Sequence, residues 1–67
     1  MQSRTKYLNS LLPKDRDIEK KYLKDFEKQA CYLGNGIYEW CGIYASDTRE
    51  LFLMGCLSRE GIEYEKI

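Results

Sequence analysis

Histidine is absent from this chain, and no other gap removes as much chemistry. Without an imidazole there is no Ser-His or Cys-His nucleophile pair and no histidine general acid. Cysteine is sparse. Cys31, Cys41 and Cys56 lie ten and fifteen residues apart, so the Cys-x-x-Cys pair used by zinc sites is missing and no metal is expected. Their odd number, and a polar opening (Met1-Gln2-Ser3-Arg4-Thr5-Lys6) with no secretory apolar region, argue against disulfides. The thiols are expected to act as small reduced hydrophobes, with Cys41 and Cys56 in apolar surroundings and Cys31 the most exposed. No apolar run approaches the roughly eighteen residues of a membrane span, so a cytoplasmic protein is expected. Neither a Gly-x-x-x-x-Gly-Lys-Ser/Thr loop nor a Gly-x-Gly-x-x-Gly fingerprint occurs, and no cofactor is expected.

An excess of either charge is also lacking: eleven Lys and Arg face eleven Asp and Glu. Nonspecific attraction to nucleic acid or anionic lipid is therefore unsupported. The halves differ, with residues 1–33 at eight basic against five acidic and residues 34–67 at three against six. Glu39, in an apolar segment, is the one carboxylate whose surroundings suit acid–base work, although a satisfied or edge-exposed Glu is the simpler reading. With no other catalytic inventory, the chain is not expected to be an enzyme.

What is present is apolar and aromatic. Leu51-Phe52-Leu53-Met54-Gly55-Cys56-Leu57 carries no charge and lies between a helix start, Asp47 with Glu50 three residues on, and a helix stop at Gly61 with Ile62. A helix over 47–60 would be apolar on every side and must be buried on every side. Before it, residues 15–33 place Ile18, Tyr22, Phe26, Ala30 and Leu33 along one helical face, with Lys20, Lys21, Lys24 and Lys28 opposite. Gly34-Asn35-Gly36 reads as the stop of that helix. Residues 1–13 suggest a short helix or arm ended at Pro13.

Residues 37–45 are β-branched and aromatic and read as one strand, with Tyr38, Trp40 and Tyr44 on one face. Residues 62–67 alternate apolar with charged and read as a second strand. Strand, helix, strand implies parallel pairing with a right-handed crossover. The expected fold is a single α+β domain over 1–67. An all-α bundle is the alternative, because Ile37, Trp40, Cys41 and Tyr44 also fit helical spacing.

A 67-residue chain is short for so much apolar surface, and a core of this size supplies only about 3–5 kcal/mol. A homodimer is the expected remedy, four strands forming across a two-fold axis. The expected function is that of a small non-catalytic interaction protein, in the style of phage-encoded inhibitors or adaptors, which binds and blocks or adapts another macromolecule. Six Tyr, two Phe and one Trp supply interface-forming side chains. Tyr38, Trp40, Tyr44, Phe52 and Met54 are the candidate interface, and Glu60, Glu63 and Glu65 could meet a basic partner protein. The alternative is a dimeric nucleotide- or ligand-binding protein with an aromatic-lined pocket, in which Lys20, Lys24 or Arg49 faces a phosphate. Nucleic-acid binding through the 15–33 helix is disfavoured because Asp17, Glu19, Asp25 and Glu27 interleave its lysines.

Overall fold

Asp47 starts, and Gly61 ends, the helix around which the chain is arranged. A computed structural model of the protein describes residues 3–12 and 17–66. Its elements are α1 (Arg4–Leu11), α2 (Asp17–Gln29), β1 (Cys31–Gly34), β2 (Ile37–Trp40), β3 (Ile43–Ala45) and α3 (Thr48–Arg59). This is an α+β fold, as the residue pattern implies. In α3 the Asp47 carboxylate accepts from the N–H groups of Arg49 at 2.8 Å and Glu50 at 3.1 Å. At the other end Gly61, at φ +73°, donates to the Ser58 carbonyl, and Ile62 donates to that of Leu57. Those two bonds close a Schellman cap. Glu50 does not complete a capping box; its carboxylate accepts from the Thr5 hydroxyl of α1 at 3.1 Å.

Several expected boundaries move. The helix expected over 15–33 ends at Gln29, and residues 31–34 become a strand. Asp15 lies outside the described residues, as does Pro13, although Leu12 before it is extended as expected. Gly34-Asn35-Gly36 is a hairpin rather than a helix stop. Asn35 (φ 55°) and Gly36 (φ 78°) take the left-handed conformation of a two-residue turn. The strand expected over 37–45 is split by a second such turn at Cys41 (φ 53°) and Gly42 (φ 81°). Residues 62–66 form no strand, and Ile67 lies outside the described residues. The sheet is therefore an antiparallel meander in the order β1-β2-β3, not a parallel pair across a helix. One chain supplies its three strands.

The second turn reverses one side chain. Because two residues separate the partners, Trp40 pairs with Ile43, Glu39 with Tyr44 and Tyr38 with Ala45. Cross-strand partners share a face, so Tyr44 joins Glu39 on the outer side, opposite Tyr38 and Trp40.

The apolar helix finds its cover within one chain. α1, α2, β2 and β3 all pack against α3, and α2 also meets β2 directly, where Phe26 touches Trp40. Every residue from Leu51 to Leu57 is buried. Leu8, Leu12 and Tyr22 come from the helical side, Trp40 and Ala45 from the sheet. Phe26, Trp40 and Phe52 form an aromatic group across three elements, with centroids 5.0 Å apart for Phe26–Trp40 and 5.2 Å for Phe26–Phe52. A second copy is thus not required to hide α3, and a homodimer no longer follows from it.

Trp40 is fully buried, and the Cε3–Cζ3 edge of its indole abuts Gly55. A Cβ built there would stand 2.1 Å from Cζ3 and 2.3 Å from Cε3 of the indole. Two effects oppose each other in Gly55→Ala. Alanine gains about 1 kcal/mol of helix propensity, and overpacking costs about 1–3 kcal/mol or more. At such distances the clash wins. Gly55→Ala is expected to lower urea-unfolding stability by about 2 kcal/mol. With Trp40→Leu added, the total loss should fall short of the two single losses combined. A Gly55→Ala protein more stable than the parent would show that the indole does not rest there.

Candidate functional site

The end of α3, the extended segment after it and β3 enclose a trough. Gly42, Ile43 and Tyr44 form one wall, Tyr64 and Lys66 the other, and Met54 and Ser58 lie between them. This part has a volume of about 250 Å³. It runs on, past the shared residues Ser58, Tyr64 and Lys66, into a wider hollow of about 470 Å³ that reaches Gly61, Ile62 and Glu63. The extended segment is held at three points. Tyr64 Oη and Ser58 Oγ share a hydrogen bond at 3.1 Å. The Glu65 N–H donates to Tyr7 Oη at 3.2 Å, and the Arg4 guanidinium donates to the Glu65 carbonyl.

The trough unites three of the expected interface residues, Tyr44, Met54 and Glu63. Met54 is buried and contributes floor rather than surface. The other five lie elsewhere. Trp40 and Phe52 are core, because α3 is enclosed by the same chain. Trp40 also donates from Nε1 to Asp25 Oδ2 at 3.1 Å, so it cannot present a free face to a ligand. Tyr38 is half-buried, its ring 4.9 Å from that of Tyr32. Glu65 is engaged through its backbone at α1. Glu60 accepts from the Tyr22 hydroxyl and pairs with Lys21 at 3.5 Å, so the three glutamates form no shared acidic face. The sequence reading missed Ser58, Tyr64 and Lys66. For Tyr64 the signal was its alternation with charged neighbours, which marks a half-buried segment; Lys66 had none.

A second polar group lies across the sheet edge. The Arg59 guanidinium stands 4.5 Å above the Trp40 ring, pairs with Asp25 at 3.1 Å and meets the Cys41 thiol. Cys41 is exposed in its turn, not in the apolar setting expected. Cys56 is buried, and that burial, with Glu19 adding to it, pushes its thiol up to about 12, which leaves it inert at neutral pH. Glu39 accepts from the Gly42 N–H at 2.8 Å and serves as a turn brace. Among the described residues no three Cys, Asp or Glu side chains gather as a metal-binding group, and no helix is long and apolar enough to cross a membrane.

No protein-family model, no curated protein and no solved structure matches this chain. Function has to be read from its own geometry.

The Tyr22–Glu60 contact has a definite pH signature. The tyrosine hydroxyl, then Lys21, holds the Glu60 carboxyl below its ordinary range. The hydrogen bond to Glu60, then burial, pushes Tyr22 above the usual phenol value of 10.0. A lowered acid stabilises the fold above its unfolded pKa and loses that contribution as pH falls through the folded one. A raised phenol stabilises below its unfolded pKa and loses that contribution as pH rises through the folded one. Urea unfolding across pH should show both losses, and Glu60→Gln should remove the Glu60 part of the acid limb. An unaltered acid limb in that variant would dissolve the link.

Proposed function

We propose that the protein is a small non-catalytic interaction module that binds a partner protein through the outer face and edges of its sheet. One observation carries this reading. Of the five large apolar side chains exposed among the described residues, four (Tyr32, Leu33, Ile37 and Tyr44) sit on the sheet; the fifth is Leu23 on α2. Tyr32 is 61% exposed and Tyr44 60%. Helices pack on only one side of β2 and β3, so the face that carries Glu39 and Tyr44 has no cover. Tyrosines offer large contact area with few rotatable bonds and are over-represented where partners dock. The core is complete without them, which leaves them free for contact.

Binding also suits the remaining chemistry. Several acids that could react are engaged in structure: Glu39 in a turn, Glu60 with Tyr22, Asp25 with Arg59 and Trp40. A photo-crosslinking residue tests the reading in the cells that make the protein. Placed at Tyr44 or Ile37, both on the face that carries Glu39, it should yield a discrete adduct with one partner. At Lys24, on the exposed face of α2, it should yield none. Adducts only at Lys24, or at none of the three positions, would refute a sheet-borne interface.

A further inference from the structure

The two edges of the sheet are unlike. In a hairpin closed by a two-residue turn, the pair next to the turn exchanges both main-chain hydrogen bonds and the following pair exchanges none. Trp40 and Ile43 close the turn, so Glu39 and Tyr44 are the unbonded pair. Glu39 turns its backbone groups to its other neighbour, Cys31. Among the described residues Tyr44 has no strand neighbour beyond β3. Its N–H and C=O therefore point out of the sheet on the side where Gly42, Ile43 and Tyr44 wall the trough. At the far edge, β1 carries a register slip between Tyr32 and Gly34, a bulge of the kind that blunts an edge against pairing.

We infer that the trough receives an extended segment of a partner protein, laid beside β3 as a fourth strand and hydrogen-bonded to the backbone of Tyr44. This rests on the protein-binding reading above and names its mode. A free main-chain donor and acceptor in an open groove select another main chain in extended form. In such a strand, the residue opposite Tyr44 points its side chain outward, and its neighbours point inward over Ile43, Met54 and Tyr64. The inward position suits an aliphatic side chain. Among the described residues Lys66 is the sole charged one lining this part of the trough, and it suits an acidic residue next to the aliphatic one. Glu63, in the wider part, disfavours a second acid there and so sets the direction of the segment.

The chain's own Ile62-Glu63-Tyr64-Glu65 has this apolar–acidic pattern. In its own molecule it is tied to Ser58, Tyr7 and Arg4. A second copy would have to surrender those bonds to supply it, which favours a foreign segment.

The test is selection of a displayed library of random nonapeptides on the folded full chain, followed by synthesis of the most enriched peptide. Enriched sequences should share an aliphatic residue beside an acidic one. N-methylation of the peptide amide that faces Tyr44 should weaken binding at least tenfold, while methylation of the adjoining amide should not. Lys66→Glu should weaken it to a similar degree. Tyr44→Pro removes the free donor at an edge position where proline is tolerated, and should abolish binding with Trp40 fluorescence unchanged. If that variant fails to fold, the N-methylated peptides decide alone. Absence of enrichment, indifference to N-methylation, or selected peptides that bind as helices would overturn the inference. So would a dimer in sedimentation that Lys66→Glu dissolves, because the occupant would then be a second copy. Crosslinks from Ile37 without any from Tyr44 would also overturn it, yet leave the interaction module standing.

Discussion

The contact of the Trp40 indole with the bare backbone of Gly55 fixes how closely the sheet can approach α3. With any side chain at position 55 the indole would have to move away, and its aromatic contacts with Phe26 and Phe52 would move with it. The Phe26–Trp40 contact joins β2 to α2 directly, and Phe52 ties both to α3. Close approach thus converts a helix that is apolar all round from a liability into the centre of the core, contacted by α1, α2, β2 and β3.

The helix was legible in the sequence because its signals agree. Asp47 caps it, Gly61 stops it, and its uncharged run has only one interpretation, complete burial. What was not legible is how few residues suffice to bury it. The inference to a second copy assumed that two short strands and a surface helix were the only cover, and it overlooked the strand at 31–34. That strand was hidden because Leu33 continues the helical stripe of Phe26 and Ala30, and because Gly34-Asn35-Gly36 ends a helix as plausibly as it turns a hairpin. Asn-Gly between two aromatic runs was the stronger signal and was underweighted. The candidate site suffered from the other turn. Alternation counted through Cys41-Gly42 as if the strand were continuous put Tyr44 on the wrong face, and with it the predicted interface. Sequence alternation survives only as far as the next turn.

Charge on α2 is arranged in space more than along the chain. Two of its acids turn to α3, Glu19 to Arg49 at 2.9 Å and Asp25 to Arg59 at 3.1 Å, while Lys20, Lys24, Glu27 and Lys28 stay exposed. The two arginines stand near opposite ends of α3, so the ion pairs fix where α2 lies along it. Each is partly exposed and worth at most about 1 kcal/mol; they set alignment more than stability.

β1 meets the rest of the molecule chiefly through β2, whereas β2 and β3 both rest on α3. Its residues bury little. Cooperative units with few buried contacts are the first to open in a native protein. Amide protons of the 31–37 hairpin should then exchange with solvent well ahead of those in α3, and a protease that nicks the intact fold would find its first foothold at Asn35. The β3 edge at Tyr44 lies at the opposite side of the sheet, on a strand that packs against α3. The part of the molecule that frays is thus separate from the edge that the core holds in place.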